Sequence, residues 1–308
     1  MGFKNKRKTK ITTKKGNPFD MYIDYFFNRE KKKNPRLYKN KKLDIKDFEK
    51  KDNAFILLGH STVLFKIDGM TFITDPVLRE GRVGPLGILG PKNFKYRMKY
   101  TADDMPAKLD GVLISHNHYD HLDYKTISKL DSRVKKYFVP TGVKELLVKN
   151  GIDKEKVVEL GWDDNSNLNG IDIILAPTRH FSGRGLFDGN KTLWGSWIVR
   201  GSRRFFFSGD TGYCEEFKRI GREYGPFDVT LIECGAYSKY WSSIHLMPEE
   251  TVEVGIDLRS SLIVPIHNRK YDLSLHKWDE PLIRFERKAK ELEGLRYKIP
   301  ELGEVTEY

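Results

Sequence analysis

The sequence predicts an α/β protein built from two packed β-sheets with helices on their outer sides. Three observations support this prediction: short apolar runs of β type recur from Asn53 onwards, helical patterns alternate with them, and the series occurs twice. With 308 residues, 39% of them hydrophobic, the chain can bury a sizeable core. We therefore predict one globular body over residues 53–308 and an N-terminal arm over residues 1–52.

The first half begins with three short strand patterns, at residues 54–59, 63–67 and 71–74. Asp68 and Gly69, between the last two patterns, are typical of a tight hairpin turn. A loop rich in glycine and proline is predicted over residues 79–92. Two buried strands then alternate with two helices, the strands at 112–115 and 137–139 and the helices at 124–130 and 143–149.

The second half repeats this order with five strand patterns and two helical patterns. The strands are predicted at residues 171–176, 193–200, 203–207, 229–232 and 262–266, and the helices at 214–224 and 248–258. The second helix has clear start signals, because Pro248 opens it and Glu249 and Glu250 bring negative charge to its first turn. Two matching halves of this kind predict two packed sheets.

The net charge of +12 comes from the N-terminal arm, since residues 1–51 carry 18 Lys and Arg against 6 Asp and Glu. An aromatic stretch at residues 18–27 precedes a basic one, a combination that can lie on an anionic membrane or cover the core of the body. No apolar run approaches the length of a membrane span. Cys214 and Cys234 make no disulfide framework, which favours a cytoplasmic protein, with peripheral contact at the inner membrane face as an open alternative.

The stretch ISHNHYDHLD, at residues 114–123, concentrates metal-binding side chains directly after a predicted buried strand. His116 and His118 are two positions apart and can share one metal, while Asp120 and His121 can face a neighbouring metal. Imidazole and carboxylate groups suit zinc, manganese or iron. The cluster therefore predicts a metal site.

Three further candidate ligands follow three other predicted strands. His180 comes after residues 171–176, Asp210 ends the apolar run FFFSGD, and His267 follows residues 262–266. Side chains at strand ends can be directed into one cleft. The seven candidate ligands therefore fit a pair of metals that share a bridging carboxylate and a bridging hydroxide.

The motif HNHYDH at residues 116–121, with the three later residues, resembles the metallo-β-lactamase superfamily. Further landmarks resemble its N-acylphosphatidylethanolamine phospholipase D branch and bacterial relatives: GHST at 59–62, TDP at 74–76, LWGSW at 193–197, SGDTGYC at 208–214 and GPFD at 225–228. The resemblance covers about residues 53–281. It implies an αβ/βα four-layer sandwich, with two mixed sheets flanked by helices, and a dinuclear centre that usually holds zinc.

The resemblance also implies a role for each site residue. His116, His118 and His180 would hold one metal, Asp120, His121 and His267 the other, and Asp210 would bridge the two. His245 is expected near the substrate, with Asp120 and His245 as catalytic groups. Tyr119 is expected to face the cleft and bind substrate. His60 and His276 are expected to support the site or to pack.

The implied function is a hydrolase that uses a hydroxide activated by two zinc ions, most simply a phosphodiesterase acting on a phospholipid. A lactonase, a sugar-phosphate hydrolase, a nuclease and a non-catalytic metal-binding protein are the alternatives. Nucleic acid is not expected as a partner, because the body is charge-balanced. The basic Asn268-Arg-Lys270 beside His267 predicts either a wall that favours anions or a solvated surface. The sequence leaves the oligomeric state open.

Overall fold

The computed structural model describes residues 2–12, 37–84, 90–185 and 187–308. The strands are β1 Ala54–Leu57, β2 Val63–Ile67, β3 Met70–Thr74, β4 Leu109–Leu113, β5 Val134–Pro140, β6 Val157–Leu160, β7 Asn165–Leu168, β8 Ile171–Ala176, β9 Ser196–Arg200, β10 Arg204–Phe207, β11 Val229–Glu233, β12 Ile263–Ile266 and β13 Val305–Glu307. The helices are α1 Ile45–Glu49, α2 Tyr124–Leu130, α3 Val143–Lys149, α4 Glu216–Glu223, α5 Pro248–Asp257 and α6 Glu280–Lys290. Short 3₁₀ turns cover Ala102–Asp104, Asp131–Arg133 and Lys154–Lys156.

The strands form two mixed sheets. The first sheet has the order β13-β1-β2-β3-β4-β5-β6 and the second the order β12-β11-β10-β9-β8-β7. In the first sheet β3, β4, β5 and β6 run parallel, and in the second β10, β11 and β12 run parallel. The carboxyl ends of neighbouring parallel strands meet at one edge of a sheet, where α/β proteins commonly bind ligands.

Both faces of each sheet are buried, which produces four layers. Alternate residues of β2 show this, because Phe65 packs between the two sheets whereas Leu64 packs towards the helices. Helices α1, α2 and α3 cover the outer face of the first sheet, and α4, α5 and α6 cover that of the second. The Phe65 and Phe205 rings join the sheets, stacked at a centroid distance of 3.9 Å and an interplanar angle of 5°. The predicted αβ/βα four-layer sandwich is confirmed.

Most predicted elements occur within a few residues of their expected positions, and three strands and two helices were missed. The turn at Asp68 and Gly69 is present, with both residues at positive φ. Strand β7 has the sequence NSNL with only its leucine buried, so it lacks the apolar pattern that a strand usually shows. Strand β13 has only three residues and is recognisable through its pairing with β1.

Residues 2–12, the described start of the N-terminal arm, lie against the body. The backbone N–H of Phe3 donates to the carbonyl of Asn190 at 2.7 Å, and Lys6 pairs with Asp163 and Glu216. The aromatic stretch at 18–27 is outside the described residues, and the arm boundary at residue 52 stays a prediction. Within the described ranges, no helix combines the length and apolar character of a membrane span.

Candidate metal centre

The candidate ligands come from four loops that follow the carboxyl ends of strands. His116, His118, Asp120 and His121 follow β4, His180 follows β8, Asp210 follows β10 and His267 follows β12. The two sheets meet closely here, because a Cβ added to Gly209 would lie 2.7 Å from the Cβ of Ser115. Gly209 also has a φ of +58°, which favours glycine. The chain therefore turns at Gly209 and directs Asp210 towards the residues after β4.

His116, His118 and His180 gather around one point. Nδ1 of His118 lies 2.8 Å from Nε2 of His116 and 3.3 Å from Nε2 of His180. Oδ2 of Asp210 lies 3.9 Å from Nε2 of His116 and 3.8 Å from Nε2 of His180. Four donor atoms that lie within 4.8 Å of one another form a first metal position.

Asp120, His121 and His267 gather around a second point beside it. Oδ2 of Asp120 lies 3.6 Å from Nε2 of His121 and 3.8 Å from Nε2 of His267. The other oxygen of Asp210, Oδ1, lies 3.2 Å from Nε2 of His121 and 3.1 Å from Nε2 of His267. Asp210 therefore presents one oxygen to each group, as a bridging carboxylate would.

Unpaired buried atoms show that this cluster is suited to metal ions. Nε2 of His121, Oδ1 of Asp210 and Nε2 of His267 are buried without a hydrogen-bond partner among the described residues. Buried polar atoms are normally hydrogen-bonded, and unpaired atoms that converge on one point are explained by a bound ion. The residues present therefore fit a pair of divalent cations.

Outer partners fix the rings of three histidines. Nδ1 of His121 is 2.7 Å from Oδ2 of Asp75, and Nδ1 of His180 is 2.9 Å from the carbonyl of Ile244. Ser115 hydroxyl lies 2.9 Å from Nδ1 of His116 and donates to Asp75 at 2.6 Å. Each of these contacts uses Nδ1 and leaves Nε2 for the centre. Carboxylates and carbonyls orient metal-binding histidines in this way.

His60 supports the second group, and the backbone around it is strained. Its Nε2 donates to Oδ2 of Asp120 at 2.8 Å, and its ring centroid lies 3.9 Å from that of His267. His60, Asp75 and His267 have φ angles of 58°, 37° and 60°, which residues other than glycine seldom adopt. Such angles cost roughly 1–3 kcal/mol each and tend to cluster at functional sites.

The histidine pKa values differ between the two ligand groups. Burial lowers the pKa of His118 and of His180 to about 3, so both rings are neutral, the form that binds a metal. Burial disfavours charge on Asp210 as well, but His121 and His267 outweigh it and hold the pKa of Asp210 well below its usual value. Against its burial, Asp210 and Asp120 raise the pKa of His267 to about 10.

The sequence singled out His245 but not its partner Glu233. Glu233 is the last residue of β11 and is fully buried. Its Oε2 accepts the backbone N–H of Thr211 at 2.5 Å, and its Oε1 is hydrogen-bonded to Nδ1 of His245. Burial raises the pKa of Glu233 and lowers that of His245 to about 4, so both groups favour their neutral forms. A neutral carboxyl that donates to Nδ1 leaves the imidazole proton on Nε2.

A cavity of about 250 Å³ opens above the two metal positions. His118, Asp120, Asp210 and His267 contribute to its base, and His245 lies on its wall. The remaining wall is largely apolar and is formed by Ile11, Phe181, Ala236, Trp241, Ile244 and Leu273. An apolar cavity with a few converging polar groups is the usual form of a small-molecule site.

Tyr119 does not line this cavity, contrary to the expectation that it faces the cleft. Its hydroxyl donates to the carbonyl of Arg184 at 2.8 Å, and the Arg184 guanidinium covers its ring at 4.0 Å. Tyr119 is therefore held by a structural contact, because the loop after β8 occupies the space next to it. A role in substrate binding stays a prediction, without a place on the cavity wall to support it.

The basic residues after His267 do not line the cavity either. Arg269 is buried and donates to the carbonyl of Pro300 at 2.7 Å, and buried Lys270 donates to the carbonyl of Val77. Neither expectation is met, because these side chains bind backbone carbonyls in the interior instead of facing an anion or solvent. His276 lies outside the ligand groups and stacks on Tyr237 at 4.3 Å.

A sequence model of the beta-lactamase superfamily domain matches residues 71–268. This span exceeds half of the chain and contains all seven candidate ligands. The chain belongs to this superfamily. Seven of its eight histidines lie in or beside the metal centre described above. The chain is therefore a superfamily member with candidate ligands for metal ions, as expected of a metal-dependent hydrolase.

Relatives within the superfamily include an N-acyl-phosphatidylethanolamine-hydrolyzing phospholipase D of Caenorhabditis elegans. It is 38% identical over 275 residues, which are 84% of this chain and 75% of that protein. An uncharacterised protein of Mycobacterium tuberculosis is 41% identical over 231 residues, 73% of this chain. The match spans 61% of the mycobacterial protein, so that relative is considerably longer than the shared region.

The crystal structure of CmlA, a diiron beta-hydroxylase from Streptomyces venezuelae, has the same fold. Its TM-score is 0.63 at 18% sequence identity, with 84% of this chain and 54% of that chain covered. At this identity the similarity shows the fold alone. Superfamily membership thus establishes a metal-binding fold, and the metal has to be identified by other means.

Proposed function

We propose that the chain is a metal-dependent phosphodiesterase that hydrolyses a phospholipid. The observation that carries the proposal is the shared carboxylate of Asp210, which lies between two ligand groups at the base of an apolar cavity. When bound, a pair of divalent cations supplies a water of lowered pKa and polarises a phosphoryl oxygen. We propose zinc, because three neutral imidazoles and one carboxylate form the four-ligand N/O set that zinc favours.

The residues of the chain have separate tasks in this reaction. Asp120 and Asp210 bring negative charge that balances the cations, and His60 keeps Asp120 oriented. His245 lies on the cavity wall with its Nδ1 held by Glu233, so its neutral ring can donate an Nε2–H hydrogen bond to the leaving oxygen as negative charge develops there, and that oxygen takes its proton from water. His245 is thereby proposed as the hydrogen-bond donor that stabilises the leaving oxygen, with Glu233 as its positioning residue.

The cavity walls favour a substrate with apolar groups beside its phosphodiester. Ile11, Phe181, Trp241 and Leu273 form an apolar surface around the base of the cavity. A volume of about 250 Å³ suits a phosphodiester headgroup, with acyl chains extending along the wall and out of the opening. The relative from Caenorhabditis elegans, whose name gives an N-acylated phospholipid as substrate, supports the same class.

Access to such a lipid requires contact with a membrane surface. Lys4, Arg7, Lys8 and Lys10 are exposed on the segment that reaches the cavity at Ile11. Each lysine or arginine near an anionic bilayer contributes about 1 kcal/mol of attraction. We propose that these cations hold the cavity opening against anionic lipid.

The test compares hydrolysis of bis-p-nitrophenyl phosphate by zinc-loaded protein before and after treatment with a chelator. His118→Ala is expected to lose metal and turnover together, whereas the control His276→Ala, which removes a histidine outside the ligand groups, keeps both. A panel of N-acylated phospholipid in anionic vesicles, a lactone and single-stranded RNA then separates the substrate classes. Turnover of the lactone or the RNA but not of the phospholipid would overturn the proposed substrate.

A further inference from the structure

Residues 2–12 form a segment that runs along the body and ends at the metal centre. The segment starts beside Asn190, where the Phe3 N–H donates to a carbonyl, and reaches the cavity with Ile11 and Thr12. It therefore supplies part of the cavity wall, although it precedes the other residues that line the cavity by more than a hundred positions.

Asn5 makes a paired contact with the backbone of a candidate ligand. Its Nδ2 donates to the carbonyl of His180 at 2.8 Å, and its Oδ1 accepts the N–H of His180 at 3.1 Å. The same oxygen accepts from Nε1 of Trp194 at 3.3 Å. The amide thus pairs with the peptide groups of His180 as a neighbouring strand would.

His180 needs such support, because it lies beyond the end of β8 and outside regular structure. Its ring is fixed at Nδ1 by the carbonyl of Ile244 at 2.9 Å. Asn5 fixes the backbone to which this ring is attached. The two contacts together determine where Nε2 of His180 lies relative to His118.

Contacts on either side hold Asn5 in place. Lys6 pairs with Asp163 at 3.3 Å and with Glu216 at 3.2 Å, and Nε of Arg179 donates to Oγ1 of Thr9 at 3.0 Å. Arg179 is the residue before His180, so the segment contacts the ligand loop at two consecutive positions. Exposed ion pairs contribute little individually, but here they add to several directed hydrogen bonds.

We propose that Asn5 is a positioning residue of the metal centre, which holds the backbone of His180 so that its Nε2 faces the first metal position. The inference rests on the proposed function only in requiring that the centre binds metal. Loss of partners that orient a ligand typically weakens metal affinity by about 10–100-fold. The alanine variant at position 5 should therefore bind metal more weakly while it keeps all seven ligands.

The experiment uses the full chain and measures metal affinity directly. Metal-free wild type, Asn5→Ala and Asn5→Leu are titrated with Zn²⁺ in competition with a chromophoric chelator. Asn5→Leu keeps the branched shape of the side chain but removes the hydrogen bonds, and Lys154→Ala, at an exposed position outside the segment and the cavity wall, is the control. Near-ultraviolet circular dichroism establishes that each variant is folded before titration.

We expect Asn5→Ala and Asn5→Leu to bind the zinc ion of the first metal position at least about tenfold less tightly, with Lys154→Ala unchanged. Turnover of bis-p-nitrophenyl phosphate by both variants should fall at limiting Zn²⁺ and recover at excess Zn²⁺, which a purely structural role would not produce. If folded Asn5→Ala and Asn5→Leu bind zinc with wild-type affinity, the role of Asn5 is overturned while the proposed function stands. Absence of zinc binding by the wild type would overturn the proposed function with it.

Discussion

Glu233 and His245 are joined by a hydrogen bond between Oε1 of the carboxyl group and Nδ1 of the imidazole, in the interior beside the metal positions. Burial favours the neutral form of each group. The second carboxyl oxygen accepts the N–H of Thr211, so Oε1 is the oxygen that carries the proton. This arrangement makes Nε2 of His245 a hydrogen-bond donor towards the cavity.

Substitution of Glu233 tests that arrangement. In Glu233→Gln the amide can donate to Nδ1 and accept from Thr211, as the neutral carboxyl does, so we expect kcat to stay within about threefold of wild type. Glu233→Ala removes the orientation of His245, and kcat should fall by about 100-fold, as for loss of a hydrogen-bond donor to the developing charge. Steady-state kinetics at saturating metal distinguish the two variants. Equal losses in both would contradict a neutral pair.

Metal affinity should rise with pH. The carboxylates raise the pKa of His267 to about 10 against its burial, so the metal-free protein holds a proton on this ring at neutral pH. A metal must displace that proton, because only neutral imidazole is a ligand. We expect affinity to increase about tenfold per pH unit for each proton displaced, from pH 6.5 to 8.5. Competition titrations measure this dependence, and a flat or falling profile would contradict it.

A negative charge at Ile11 should weaken the binding of an anionic substrate. Ile11 is 46% exposed and lines the cavity, so Ile11→Glu places a carboxylate near the bound phosphodiester. We expect KM for bis-p-nitrophenyl phosphate to rise about fivefold, since two charges at about 4 Å in water interact by about 1 kcal/mol. The control Ile11→Gln changes size without charge. The difference in KM between Ile11→Glu and Ile11→Gln should shrink in high salt. Equal KM values for the two variants at low salt would show that Ile11 lies away from the substrate.

The contact between the sheets predicts a large stability difference between two phenylalanines. Phe205 is buried and stacks on Phe65 of the opposite sheet, so Phe205→Ala should lower the free energy of unfolding by about 3–5 kcal/mol. Phe187 is 87% exposed, and Phe187→Ala should change the free energy of unfolding by less than about 0.5 kcal/mol. Urea unfolding of metal-free protein measures both. Similar values for the two variants would contradict the four-layer packing.

The main features of the fold and the grouping of the seven candidate ligands could be predicted from the sequence. Apolar runs that end in histidine or aspartate marked the carboxyl ends of β4, β8, β10 and β12, and the structure brings those residues together. The same signal is present at two other strands, although the acidic residue there was not assigned a role at the centre. Asp75 follows β3 and Glu233 ends β11, each as an acidic residue at the end of an apolar strand.

Other features depend on contacts that are distant in sequence. Asn5 lies in a basic stretch without apolar periodicity, and its importance follows only from its pairing with His180. Tyr119 is adjacent to ligands, yet the Arg184 loop determines its direction. Arg269 and Lys270 were expected at a surface, but their burial follows from carbonyls supplied by Pro300 and Val77. Local sequence cannot show which distant carbonyl a cation will reach.

The central claim is that Asp210 bridges two metal positions, and the most direct test is the metal content of the whole protein. Material purified in the presence of transition metals, and then freed of loosely bound ions, would be analysed for metal alongside Asp210→Ala. We expect two ions per wild-type chain and, because both groups share this carboxylate, a loss of affinity at both positions in the variant. A wild-type chain without metal, or an Asp210→Ala chain that still binds two ions with wild-type affinity, would contradict the account.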